Sequence, residues 1–313
     1  LKKYLLLVLS AMLMFVLAAC GSSETSTEEV PATETTTEAT EEVVEMPAKL
    51  TMGFIPSQEA DKIADTVKPL EEKLSEILGI PVEAQVMVDF VGLVEGMRTG
   101  QIDIGFLNPF GFVQAEERAG VEVILKSIRN GSDSYQAQYA VAADSDIHSI
   151  EDLVEAHGLV WAYADTLSTS GFLFPAAHIM SLGVENLDDH FTQIVVGGHD
   201  NAILAVLDGT ADFASTFDDA RTRLEAEYPT IMEDIRIIGY TNPIPNDTIS
   251  VRAGLPVELK EAIRTAFLAF NEDEDMMQVM NEVYTWSGIA PAASADYDVV
   301  RDVFNIFKDQ LSQ

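Results

Sequence analysis

Along most of the chain, short apolar runs of strand length alternate with stretches whose apolar residues recur every three or four positions. From Lys49 onward the order is regular. A strand over 49–56 leads to a helix presenting Ile63, Val67, Leu70, Leu74 and Ile77 on one face, then come a strand over 80–88, a helix over 90–98 and a strand over 103–107. A helix over 110–118 and a strand over 121–127 follow. After a strand at 139–143 and a short helix opened by Ser149, the alternation resumes with strands at 159–163, 192–196 and 212–216 and helices at 172–182 and 200–207. A strand at 248–252 and helices over 257–270, 276–284 and 295–311 complete the pattern. Strand and helix in alternation predict mainly parallel sheets covered on both faces, and two such runs predict an α/β protein of two similar lobes.

A weak internal echo supports the two-lobe reading. Gly100-Gln101-Ile102-Asp103 and Gly209-Thr210-Ala211-Asp212 each join a helix end to a strand through a glycine suited to the left-handed C-cap and an aspartate. Ligands of such folds sit at the carboxyl ends of the strands, which turns attention to the loops there. One loop stands out. The buried-looking strand at 159–163 empties into a helix through Ser168-Thr169-Ser170-Gly171. A helix start carries unpaired N–H groups and the positive end of the helix dipole, so it favours a tetrahedral oxyanion to which three hydroxyls can add donors. The same residues also serve as ordinary N-caps, and the local pattern leaves both roles open.

The ends of the chain differ in character from its body. Lys2-Lys3 and the apolar run Tyr4 to Ala19 form a basic region and a hydrophobic region too short for a comfortable membrane span. With Leu17-Ala18-Ala19-Cys20-Gly21 they resemble a lipoprotein signal, which predicts cleavage before Cys20 and lipid attachment to it. Residues 21–47 are nearly all Ser, Thr, Glu, Ala, Pro and Val, the composition of a disordered acidic tether. The expected organisation is therefore a signal peptide over 1–20, a tether over 21–47, one lobe from 48–140 with 248–313, and a second lobe from 141–247. The chain would sit on the extracytoplasmic face of the cell membrane, at the cell surface or in the periplasm, held by its lipid.

Charge narrows the function. With 18 Lys and Arg against 52 Asp and Glu, a net charge of −34 excludes a nucleic-acid partner. The single cysteine, Cys20, leaves no thiol for a disulfide, a metal cluster or a nucleophile in the body, and no metal or cofactor is expected. An anion site in so acidic a chain must work through short, desolvated hydrogen bonds, because exposed charges beyond about 8–10 Å are screened.

Four segments, Gly96 to Phe110, Ser168 to Pro175, Gly197 to Val206 and Ile244 to Ile249, together resemble the phosphate, phosphite and phosphonate substrate-binding proteins of ABC transporters. The resemblance covers about Leu50 to Arg252. It implies a type II periplasmic-binding-protein fold, two lobes joined by two crossover strands near Tyr139–Ala143 and Asn242–Thr248. It also implies a monomer that captures a small phosphorus oxyanion and delivers it to the transmembrane permease subunit without performing a reaction. By position, Ser168, Thr169, Ser170, Tyr135 and His199 match residues that hold the oxyanion, while Asp219 and Asp247 match acids that hold a ligand ammonium group. Asp219 stands where the family places a glutamate, and Phe90 replaces a common tyrosine, removing one phenolic donor. Phosphate, phosphite or sulfonate as cargo, and a sensory role without a permease, remain alternatives to phosphonate. A serine hydrolase would need a nucleophile elbow and a base, and no serine lies in such a pattern.

Overall fold

The computed structural model describes residues 46–311, which lie within one compact unit, Val44–Gln313. The predicted signal, Cys20 and nearly all of the tether lie outside the described residues. In chain order the strands are β1 (Leu50–Phe54), β2 (Val82–Val86), β3 (Ile104–Leu107), β4 (Glu122–Ile128), β5 (Ser134–Tyr135), β6 (Ala137–Ala142) and β7 (Val160–Tyr163). They continue with β8 (Thr192–Val195), β9 (Phe213–Phe217), β10 (Ile235–Tyr240), β11 (Ile244–Pro245), β12 (Thr248–Val251) and β13 (Gly288–Pro291).

Two sheets carry the fold. One runs β13-β4-β12-β3-β1-β2 and the other β10-β6-β9-β7-β8. Their cores have the same plan: β1 pairs in parallel with β2 and β3, as β7 does with β8 and β9, and an antiparallel strand, β12 or β6, lies beside the third. That is the two-lobed type II architecture, with helices covering mainly parallel sheets.

The sequence echo is a structural device used twice. Asp103 Oδ2 accepts the Thr51 N–H at 2.8 Å, and the Asp103 N–H returns a bond to the Thr51 carbonyl at 2.9 Å. Asp212 does the same with Val160, at 2.7 and 2.9 Å. Each aspartate thereby ties the middle strand of its parallel triplet, β1 or β7, to the start of the neighbour it precedes, β3 or β9. The turn before it needs a positive φ, supplied by Gly100 at 74° and Gly209 at 77°.

Several expectations shift once side chains are packed. The first long helix is two, Ala60–Thr66 and Lys68–Leu78, divided where Pro69 sits in the first turn of the second; Ile63, Val67, Leu70 and Leu74 are buried but Ile77 is 45% exposed. The first crossing between lobes comes earlier than Tyr139–Ala143. Ala137–Ala142 is buried through five of its six positions as β6 of the second sheet, and the crossing is made by β5, which pairs antiparallel with β11 in a two-stranded ribbon. Phe106 and Phe112 are core residues: Phe106 stacks on Phe54 at 4.3 Å and Phe112 meets Tyr297 edge-on at 5.0 Å. The helix Asp298–Leu311 touches both lobes, Phe304 lying 5.0 Å from Phe110 and Phe307 lying 5.6 Å from Phe172.

Candidate functional site

A small cavity lies where the carboxyl ends of both sheets converge. The room open to the centre of a water molecule is about 30 Å³, against the 10–15 Å³ or so that one water needs. It suits a ligand of a few heavy atoms. Its wall is assembled from loops that follow the strands: Ile55 and Ser57 after β1, Phe90 after β2, Asn108 after β3, Arg129 after β4, Ser168 to Ser170 after β7 and His199 after β8. Phe217 ends β9, Arg223 follows it, Tyr135 belongs to β5, Asp247 precedes β12, and Tyr284 closes the helix Glu274–Tyr284. Placement outside the strand carboxyl ends is where open α/β sheets take ligands.

The hydroxyl turn divides its labour. Thr169–Leu173 is a π-helical turn that runs into the α-helix Phe174–Ser181. Ser168 is its N-cap, accepting the Gly171 N–H at 2.9 Å, so the capping role is real for that residue. Gly171 is required by this cap: a Cβ there would lie 2.8 Å from Ser168 Oγ, so the glycine serves packing and does not line the cavity. Thr169 Oγ1 accepts from the Phe110 N–H at 2.9 Å and from Asn108 Nδ2 at 2.8 Å, both in the opposite lobe, which leaves only its own proton to donate. The Ser170 hydroxyl and the Tyr135 phenol share the cavity wall. The first amides of the turn add N–H groups that a helix start leaves without intrahelical partners.

Positive charge completes the site. Arg129 bonds Asp247, and its guanidinium lies 5.3 Å from the Tyr135 ring and 5.6 Å from the Phe217 ring. Arg223 lies 5.9 Å from the same Phe217 ring. It donates to Gln58 Oε1 at 2.5 Å and to the Val283 carbonyl at 3.2 Å, and no carboxylate among the described residues pairs with it. Burial, with Arg129 nearby, lowers the Arg223 guanidinium to about 10, still fully charged at neutral pH. Burial and the two arginines push His199 down to about 3, so its imidazole is neutral. Burial raises the Asp247 carboxyl above its usual value even with the Arg129 guanidinium beside it, while Arg223 feels Asp200 at a distance but has no carboxylate bonded to it.

A histidine 3.5 Å from a serine invites a nucleophile reading, but the pair of Ser168 and His199 lacks its requirements. Ser168 Oγ is engaged as a cap, no residue orients His199 through its buried Nδ1, and an imidazole depressed to about 3 is a poor base.

A sequence profile described as the periplasmic substrate-binding protein of phosphonate ABC transporters matches residues 52–297. The chain belongs to this family. Among members of known name, the phosphate-import protein of Mycolicibacterium smegmatis is 26% identical over 280 residues, 83% of this chain and 86% of that one. The phosphonates-binding periplasmic protein of Escherichia coli is also 26% identical, over 254 residues, 80% of this chain and 74% of that one. A Prochlorococcus marinus binding protein in complex with methylphosphonate superposes with a TM-score of 0.74 at 18% identity, covering 82% of this chain and 97% of that one. That last likeness carries the fold alone. The family's members are the solute-binding components of importers, and among the described residues no helix is long and apolar enough to cross a membrane.

Six of the seven ligand positions named from the family pattern, Ser168, Thr169, Ser170, Tyr135, His199 and Asp247, line the cavity together. Asp219 does not. It lies outside the wall, capping the short turn Ala220–Arg223, with Arg221 Nη2 donating to its Oδ2 at 2.6 Å and Gln138 Nε2 to its Oδ1 at 3.1 Å. Burial alone would raise its pKa, but the bonds from Arg221 and Gln138 outweigh that and lower it. Asp247 is in the wall, yet its partner is Arg129, so neither acid of the family's ammonium cage stands free. Arg129, Arg223 and the lobe-bridging Asn108 were missed. A usable signal existed for the first: in a chain with 18 basic residues, an arginine between a predicted strand and Asn130-Gly131 sits where ligands of α/β folds are held.

Proposed function

We propose that this chain captures a small phosphorus oxyanion, a phosphonate, phosphite or phosphate, and hands it to the permease subunit of an ABC importer. One observation carries the reading. A cavity of ligand size is walled by the hydroxyls of Ser168, Thr169, Ser170 and Tyr135, the neutral imidazole of His199 and two guanidiniums, with a single carboxylate among them. Such a wall has many donors, few acceptors and one unmatched positive charge, which suits a compact oxyanion in an otherwise strongly acidic molecule. The family's named relatives, described by their ligands as phosphate and phosphonate binders, support the same class. Ser57 and Asn108 would position the first lobe against the bound anion, while Phe90 and Ile55 offer it an apolar flank.

The chain would work as a monomer, since one copy supplies the whole wall, and would be tethered to the extracytoplasmic face of the membrane through lipid on Cys20. Metabolic labelling with a fatty acid, lost in Cys20→Ser, tests the anchor. Titration calorimetry of the purified chain with methylphosphonate, phosphite, phosphate and sulfate tests the ligand class. Binding of at least one phosphorus ligand at micromolar or lower concentration, with sulfate weaker, is expected. Silence toward all three phosphorus ligands, or preference for sulfate, would overturn the reading.

A further inference from the structure

The carboxylate in the cavity wall is already answered. Asp247 and Arg129 each keep 13% of their side-chain surface, and they join β12's approach to β4's exit across 118 positions of sequence. The guanidinium is held from other sides as well. Tyr135 and Phe217 present their rings to it at 5.3 and 5.6 Å. A ligand ammonium that took Arg129's place on Asp247 would displace this clamped cation, leaving its charge uncompensated in a buried place.

The surroundings argue the same way. Arg223 packs on the same Phe217 ring as Arg129, and Asp247 is the one acid in the wall. A third cation in that space would meet two like charges at close range in a weakly screened site. Asp219 is spent on Arg221, and Asp218 and Asp200, whose charges act on Arg129 and Arg223, lie outside the wall as it does. The face that lacks a donor, Phe90, can accept a hydrogen or a methyl group on phosphorus.

Building on the function proposed above, we propose that Arg129 is a built-in counter-cation: it occupies the place of a ligand ammonium against Asp247 and makes the cavity select phosphorus oxyanions that carry no cationic group. Specificity here is set by an internal charge. The protein supplies the cation that an aminated ligand would otherwise bring, so amination of the ligand becomes a penalty.

The test is a calorimetric comparison of methylphosphonate with 2-aminoethylphosphonate on the intact chain. The unaminated ligand is expected to bind at least about tenfold tighter, roughly 1.4 kcal/mol. Arg129→Gln, which bares Asp247, is expected to narrow that ratio to near one or reverse it. Asp247→Asn gives a second handle if Arg129→Gln does not fold. Absolute affinities would move, but the ratio should hold or rise, because removing the acid leaves both guanidiniums facing the ligand. Equal or tighter binding of the aminated ligand by the wild type overturns the proposal. So does an unchanged ratio in folded Arg129→Gln, or a ratio in Asp247→Asn that falls to one or below. If neither phosphonate, phosphite nor phosphate binds at all, the oxyanion reading of the cavity falls and this inference with it, an outcome distinct from a wrong preference between two ligands that both bind.

Discussion

Two of the arginine–aspartate pairs, Arg221–Asp219 and Arg129–Asp247, have opposite consequences. Arg221 and Asp219 are two residues apart; the guanidinium spans both carboxylate oxygens, the Arg221 amide bonds the same group, and Arg221 Nη1 donates to the Ile235 carbonyl at 2.6 Å. The pair stitches a short turn to β10 and does nothing to the cavity. Arg129 and Asp247 come from separate stretches of chain and meet in the cavity wall. There the same chemistry sets the charge available to a ligand. An ion pair's meaning is thus given by what else is near: the outer pair is self-contained, while the inner pair leaves Arg223 as the unmatched charge.

Breaking the inner pair should cost most. Arg129→Ala leaves Asp247 buried and unpaired, a change of about 3–5 kcal/mol in unfolding free energy, read by urea denaturation. A loss under 1 kcal/mol would make the pair ornamental. Arg223→Ala removes the unmatched charge, and anion affinity should fall about 10–150-fold, the worth of a charge-assisted bond of roughly 1.5–3 kcal/mol; undiminished calorimetric affinity would place the anion elsewhere. Thr169→Ala orphans the Asn108 and Phe110 donors, with a cost of about 1–3 kcal/mol in stability or lobe contact, measurable as a lower unfolding midpoint.

The pH dependence of His199 sharpens the picture further. Its folded value, about 3, lies below the 6.5 of a free imidazole, so between these the unfolded chain binds more protons and stability falls as the solution is acidified. The slope is up to about 1.4 kcal/mol per pH unit. His199→Asn should lose that part of the acid sensitivity between pH 6.5 and 5, and parallel curves for the two proteins would contradict it. The smallest effect is expected at the outer pair: Asp219→Asn should alter stability by about 0.5–1 kcal/mol and leave ligand affinity within about twofold.

The plan of both sheets was legible because the relevant signals are local. Apolar runs of strand length, helix spacing and the Gly100 and Gly209 turns act within a few residues, and the structure uses them at those positions. The hydroxyl turn was equally visible, although its sequence could not tell cap from ligand donor; Ser168 turns out to be the cap. What stayed hidden depends on distant partners. β10, β11 and β13 are short or edge strands defined by what they pair with, and Ile235–Tyr240 carries little alternation to reveal it. Asp219 and Asp247 look alike in sequence, and only the positions of Arg221 and Arg129 separate them. Positional likeness to a family pattern transfers the backbone site more faithfully than the charge balance inside it.

The seam between the lobes is written largely in main-chain atoms. The His199 N–H bonds the Ser57 carbonyl at 3.1 Å, the Phe90 N–H reaches Asp165, the Phe110 N–H reaches Thr169, and Asn108 reaches the Leu167 carbonyl at 2.7 Å. Mutation at 57, 90, 110 or 199 changes the side chain and keeps the amide or carbonyl in place. Lineages of this protein can therefore rewrite the cavity side chains at 57, 90 and 199 while inheriting these bonds, whereas Asn108 and Thr169, which serve the joint through their side chains, bind choice of ligand to the act of closing.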